Sequence, residues 1–288
     1  MKTKFLEVLS PEEILNIDYE SRRILEEVGV KVLHNDCLNL LYNLGCSVDK
    51  KTSIVKIPSD IVKKAVDATA KNFLLYCRNP ENFINLGGDN VCFGPGGFAV
   101  FAEDFDTGKR HRALRKDLIE HLKVSDALTG CEFNHVNVMP SDLPDLTADL
   151  HMWADSLIYQ TKPIMNENYS SRSVDLVVEM GSILRGSREN LLNKPNICLD
   201  ICVVSPLTHD NRQVNILIKG AEYGLPMSIE AGPIAGASSP VTLAACISQT
   251  NAELLSAIVI AFAVKPGAKI LYGSWARHNP VLHLIMYT

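Results

Sequence analysis

Between Lys116 and Ser274 the spacing of hydrophobic positions switches repeatedly between two periods. Windows of helical spacing run from Lys116 to Leu128, Thr147 to Tyr159, Val174 to Leu184 and Gln213 to Tyr223, and a long apolar stretch ends near Val264. Between and after them lie short extended runs: EFNHVNVMP, KPIMNENY, NICLDICVV, LPMSIEAG and AKILYGS. Strand and helix alternating in this way predict parallel strands with crossover helices, hence an α/β fold that is either a barrel or an open doubly wound sheet. No Gly-x-Gly-x-x-Gly turn and no P-loop follows any run, which argues against a nucleotide-binding sheet.

The first 113 residues follow a different pattern. LSPEEILNIDYESRRILEEVGV predicts a helix with Ser10 as N-cap, Pro11 at the first helical position, Glu13 closing a capping box and Gly29 beyond the end. A second helix is expected from about Asn35 to Leu44, then SIVKI as a strand, then a helix over IVKKAVDA capped by Ser59. From Asn72 to Ala113 short β segments, NFLLYCRN, NVCF, FAVFAED and KRHRA, are joined by glycine-rich turns. Gly94-Pro95-Gly96-Gly97 lacks a Gly-Lys-Ser/Thr ending and leads into an apolar strand, so it predicts a tight turn in preference to a phosphate cradle. An α+β region, residues 1–113, is thus expected ahead of the repeating part, residues 114–275, with a divergent tail at 276–288.

Side chains alternate across a strand, so each run can be sorted into two faces. In NICLDICVV, Ile197, Leu199, Ile201 and Val203 form an apolar face, leaving Cys198, Asp200 and Cys202 opposite. In LPMSIEAG, Ser228 and Glu230 oppose Met227 and Ile229; in EFNHVNVMP, His135 and Asn137 oppose Val136 and Val138. In a barrel these polar groups would point to the axis, and Glu230, Asn137 and Asn166 would fall near the C-terminal strand ends, where barrel active sites form. Burying several carboxylates without compensation costs several kcal/mol each, roughly, and a cationic ligand would supply the compensation. His135 reads more readily as a satisfied core histidine than as a catalyst, and His209, in the loop after NICLDICVV, is open to the same two readings.

Composition narrows the ligand. The 288 residues are 47% hydrophobic and 21% charged, enough for a sizeable core in one large domain or two smaller ones. A net charge of -5 with no dense Lys/Arg block excludes an electrostatic footprint for nucleic acid or anionic lipid and leaves small molecules or proteins as partners. The N-terminus lacks the apolar core of a secretory signal, and the stretch from Val241 to Val264 is interrupted by Ser248, Gln249, Asn251 and Glu253, predicting a buried helix rather than a membrane span. A cytoplasmic location is the expectation. The eight cysteines show no C-x-x-C pair, so neither a metal site nor a disulfide framework is expected.

The N-terminal LSPEEILNIDYESRRILEEVGVKV, the GPGGFAVFAEDFDTGKRHRA hairpin, the PSDLP loop and above all EAGPIAGASSPVTLAACISQTNAELLSAIVIAFAVKPGAKILYGS resemble the trimethylamine:corrinoid methyltransferase family, over nearly the whole chain through Ser274. The resemblance implies a (β/α)8 TIM barrel that moves a methyl group from trimethylamine or a quaternary, betaine-like amine to the cobalt of a corrinoid (cobalamin). It implies that the corrinoid is carried on a separate partner protein and that this chain binds no cofactor of its own. Homo-oligomerisation is left open. Given that activity, strand geometry nominates Glu230 and Asp200 as the electrostatic, catalytic acids and Asn137, Asn166, Ser228, Gln249 and Tyr272 as substrate-binding groups; the aromatic faces of Tyr272 and Trp275 suit a cation that cannot be hydrogen-bonded. Family members acting on trimethylamine itself carry pyrrolysine in the C-terminal part of the barrel, and this chain has none. About five strand-helix units precede the divergent tail, so the barrel is expected to be incomplete, and a truncated, non-catalytic remnant is the alternative reading.

Overall fold

The computed structural model describes residues 7–278, so the first six residues and the last ten residues of the expected tail lie outside the described part. Helix α1 (Pro11–Arg23) opens as its sequence dictates. Ser10 Oγ accepts from the Glu13 N–H, and the Glu13 carboxylate accepts from the Ser10 N–H at 2.7 Å. A single wider turn, Ile24–Val28, carries the chain to Gly29. There follow β1 (Val30–Val32), α2 (Asn35–Leu44), β2 (Ser47–Asp49), β3 (Ile54–Lys56) and α3 (Ser59–Ala68). Ser59 begins α3 instead of capping it. Pro58 occupies the cap position, and the Ser59 N–H is taken by Glu26 Oε1 at 2.6 Å.

Two antiparallel hairpins come next, β4 (Asn72–Tyr76) with β5 (Phe83–Gly87) and β6 (Phe101–Glu103) with β7 (Arg110–Arg112). The partner of β4 is drawn from ENFINLGG, not from NVCF, which forms no strand. Nor is Gly94–Gly97 a tight hairpin turn. Residues 91–98 are irregular, with a bend at Gly97, because the loop has to follow the wall of a cavity.

The repeating part follows in order: α4 (Arg115–Ala127), β8 (Asn134–His135), α5 (Ala148–Tyr159), β9 (Ile164–Glu167), α6 (Ser171–Arg185), α7 (Arg188–Asn193), β10 (Ile197–Val203), β11 (Thr208–His209), α8 (Asn211–Tyr223), β12 (Met227–Ala231), β13 (Ile234–Ala235), α9 (Leu243–Val264), β14 (Ile270–Ser274) and β15 (Arg277–His278). Five of these strands form one parallel sheet in the order β14-β12-β10-β9-β8. Strands successive in the chain are neighbours, with no reversal of direction across the sheet. A doubly wound sheet requires such a reversal, whereas a barrel forbids it. The architecture is therefore mixed α/β around a curled parallel sheet, compatible with an incomplete TIM-type barrel.

One face of this sheet carries Ile197, Leu199, Ile201, Met227 and Ile229, all buried against Trp153, Val174, Leu217 and α9. Gly220 lets α8 lie directly on it, since a Cβ there would sit 2.7 Å from Met227 Sδ and 2.9 Å from Leu199 Cδ1. Strand β11 leaves the barrel sheet and pairs in parallel with β1, giving a second sheet of order β11-β1-β3-β2 that ties the N-terminal region to the repeating part. Helix α9 has the length and apolarity of a membrane span, yet it is packed inside, with Ser248, Gln249, Thr250, Glu253 and Ser256 all buried and hydrogen-bonded.

Candidate functional site

The opposite face of the parallel sheet lines a cavity of about 1060 Å³. Register determines what points into it. Glu167, Asp200 and Ser228 are lateral partners on β9, β10 and β12, and one step toward the C-terminal ends Cys202, Glu230 and Gly273 are partners on β10, β12 and β14. One step in the other direction, His135, Met165 and Cys198 stand side by side. Three carboxylates are thus gathered on neighbouring strands within two layers. The far wall comes from the irregular loop 91–98 and from β4 and β5, through Leu75, Ile84, Leu86 and Phe98.

The acids are differently held. Asp200 is 5% exposed; its Oδ2 lies 3.1 Å from His135 Nε2, so the imidazole N–H donates to the carboxylate. Its Oδ1 has no hydrogen-bond partner among the described residues. Glu230 Oε1 accepts from Ser228 Oγ at 2.9 Å. Burial raises the Glu230 carboxyl above the ordinary glutamate range, with the nearby Asp200 charge adding to it and Ser228 and His135 opposing it. Glu167 is raised for the same reasons, burial first and then Asp200, with Arg212 and His135 pulling the other way. Cys202, in the same layer as Glu230, is pushed up to about 12 by burial and by the surrounding acids, which removes it as a thiolate nucleophile at neutral pH.

Aromatic surface completes the lining. The Phe98 ring meets His135 edge to face at 5.1 Å between centroids, Phe133 lies alongside, and Trp275 stands at the C-terminal end of β14. Trp275 has its place because residue 232 is glycine: a Cβ at Gly232 would come within 2.5 Å of the indole. The lining pairs a negatively charged floor with aromatic walls, an arrangement suited to an organic cation. Among the described residues no cluster of His, Cys, Asp and Glu has the geometry to hold a metal ion.

The seven residues nominated from sequence separate into three groups. Asp200, Glu230 and Ser228 line the cavity together. Tyr272 is also in the lining, but it pairs laterally with Ile229 of the apolar face, and its hydroxyl donates to Asn251 Oδ1 on α9. Asn166, Asn137 and Gln249 are outside the lining. Asn166 is fully buried on the helix-covered face, paired laterally with Leu199, and its Oδ1 accepts from the Glu167 N–H. Asn137 lies past the two-residue strand β8 and turns to His121 of α4 at 3.4 Å. Gln249 donates to Ser238 O and to Glu253 Oε1, both at 2.9 Å, within α9 and the loop before it. Sequence reasoning passed over Glu167, although a carboxylate next to a nominated asparagine was the available signal.

Comparison with known proteins bears on this geometry. The family described as trimethylamine methyltransferase (MTTB) matches residues 1–279. A glycine betaine methyltransferase of Desulfitobacterium hafniense (strain Y51) is 29% identical over 93% of this chain and 55% of its own length. A trimethylamine methyltransferase MttB of the same species (strain DSM 10664 / DCB-2) is 30% identical over 92% of this chain and 53% of its own. A trimethylamine methyltransferase MttB of Methanosarcina barkeri (strain Fusaro / DSM 804) is 31% identical over 93% and 55%. The chain spans about half the length of the curated relatives it matches.

Proposed function

The chain belongs to the trimethylamine methyltransferase family, and on that premise we propose that its cavity holds a methylated ammonium cation and presents one N-methyl group to a cobalt(I) corrinoid carried by a separate protein. The observation that carries this reading is the meeting of Glu167, Asp200 and Glu230 with the aromatic faces of Phe98 and Trp275 in one cavity. The corrinoid is a substrate in this scheme, the methyl acceptor. Its electron pair forms the carbon-cobalt bond as the carbon-nitrogen bond breaks, and the nitrogen departs with that bond's electrons as a neutral amine.

What the chain itself contributes is binding, orientation and exclusion of water. A quaternary nitrogen offers no hydrogen bond, so opposite charge and aromatic faces are the available means of holding it. Asp200 is oriented by His135, and its second carboxylate oxygen, buried and without a hydrogen bond, leaves its charge for the cation to offset through space. Positive charge on nitrogen falls as the methyl group leaves, so three fully ionised acids would stabilise the reactant more than the transition state. The raised carboxyls of Glu167 and Glu230 limit that penalty, because the cluster carries less than its full charge where these groups are partly protonated.

The test is methyl transfer from tetramethylammonium and glycine betaine to a reduced corrinoid protein, followed by the absorbance change of cobalt. The expected result is transfer that Asp200→Asn reduces at least tenfold, roughly the loss of one charge-assisted contact. Transfer that is indifferent to Asp200 would remove the assignment.

A further inference from the structure

The hairpin of β4 and β5 gives the cavity an end that a small cation does not need. Arg185 of α6 fastens it, donating to Cys77 O at 2.9 Å and to Arg78 O at 3.1 Å, while the Tyr76 N–H donates to Pro195 O at 2.8 Å just ahead of β10. The hairpin therefore lies at the N-terminal ends of the parallel strands, opposite the rim where Trp275 stands. Phe73 pairs with Leu86 and Leu75 with Ile84, so all four side chains share one face of the hairpin. That face packs on Met165 and Cys198 of the sheet, with Phe133 and Leu271 alongside. Met165 and Cys198 stand one pleat repeat, about 7 Å, from Glu167 and Asp200. The hairpin's share of the cavity lining is Leu75, Ile84, Leu86 and Gly87, none with a polar side chain. Ile84, Leu86, Phe133 and Leu271 are only half-buried, which leaves apolar surface open toward the cavity. Gly94 lets the loop cover this end closely: a Cβ there would come 2.7 Å from the Phe133 ring.

We infer that this end is a subsite for an apolar substituent of the methyl donor, so that the cavity is fitted to an alkyltrimethylammonium ion whose chain runs toward β4 and β5. The inference rests on the reading of this cavity as a methylammonium site and adds the chemistry of the donor's fourth substituent. A cavity of about 1060 Å³ is of the size that holds drug-sized molecules, and a tetramethylammonium ion would fill a small part of it. With the nitrogen beside the acids, one substituent can point along the sheet to the hairpin while the N-methyl groups face the rim. Seating an alkyl chain against Ile84, Leu86 and Phe133 takes apolar surface of both chain and wall out of water. A hydroxyl or a charge at the end of that chain would lose its own water and meet no polar side chain on the hairpin face. The subsite therefore selects by attraction for methylenes and by the cost of stripping a polar terminus. Ile84 and Leu86 are on this account specificity residues, remote from the methyl group that reacts.

The experiment is a calorimetric titration of the chain with tetramethylammonium, propyltrimethylammonium, hexyltrimethylammonium and choline, which differs from the propyl compound by a hydroxyl in place of the terminal methyl. Wild type is expected to bind about two- to fourfold more tightly for each methylene added, the upper figure being full burial of a CH₂ group, and thus about eightfold or more tightly from propyl to hexyl. It is expected to prefer propyltrimethylammonium to choline by about fivefold or more, the scale of burying a hydroxyl without a partner. Leu86→Gln is expected to bring the hexyl compound within about threefold of the propyl one and to erase the preference over choline. Ile84→Trp, which fills the subsite, is expected to keep the gain for propyl and lose the further gain for hexyl. Circular dichroism melts that match wild type identify the variants as folded. A flat wild-type series, equal affinity for propyltrimethylammonium and choline, or a chain-length gain that folded variants leave unchanged would overturn the inference and leave the cation site standing. Failure of wild type to bind any of the four would overturn the cation site and this inference together.

Discussion

Glu167 and Asn166 differ by one position along β9, and the pleat sends one into the cavity and the other against Leu199. Neighbouring Ile164 and Met165 are both buried, so alternation of polarity gives no phase for this strand. Only its register with β10, where Glu167 pairs with Asp200, determines the face. The faces of β10 and β12 were legible because Ile-x-Leu-x-Ile and Met-x-Ile patterns mark one side as apolar. The acids also carry a pH signature. A carboxyl whose folded value is raised binds protons that the unfolded chain has lost, so stability falls as pH rises from 4.5, the ordinary glutamate value, through the raised one. Glu167→Gln is therefore expected to raise the urea midpoint at pH 7 relative to wild type, and to lose that advantage below pH 4.5, where both states of the wild type are protonated. Cation affinity should move the opposite way with pH in the wild type, strengthening as Glu167 and Glu230 ionise.

At the scale of elements, the longer helices were legible from their spacing and caps, while the six-residue α7 and strands of three residues such as β1 and β2 were not, being too short to show a period. Helix α9 shows why its polar residues are present at all. Glu253, fully buried, accepts from Ser205 Oγ at 2.7 Å, Leu207 N–H at 2.9 Å and Gln249 Nε2 at 2.9 Å, and so holds the loop between β10 and β11 against the helix. Glu253→Ala strands all three donors and should cost about 2–4 kcal/mol in chemical denaturation. Ser256 of the same helix meets His209 Nε2 at 2.7 Å, and burial depresses the His209 imidazole to about 4. A depressed histidine contributes stability that is complete above its unfolded value of 6.5 and declines as pH falls toward 4. Denaturation at pH 7.5 and pH 5.5 should differ by about 1 kcal/mol from this group, a difference that His209→Gln removes.

For the whole molecule, the alternation of strands and helices left two architectures open, and the unreversed order β14-β12-β10-β9-β8 is compatible with an incomplete barrel. What sequence patterning could not reach is the far wall of the cavity. Loop 91–98 has no period, and its contact with the barrel face is a matter of long-range packing. That wall matters to the functional claim, since it brings Phe98 onto His135 and turns a polar sheet face into a half-open, partly aromatic cavity. The claim is most directly tested by locating the bound cation. With tetramethylammonium carrying 13C-labelled methyl groups, the account predicts nuclear Overhauser contacts from those methyls to ring protons of Phe98, His135 and Trp275 in the wild type, and their loss in the Asp200→Asn, Glu230→Gln double variant. Contacts to residues away from this cavity, or contacts that persist in the double variant, would contradict it.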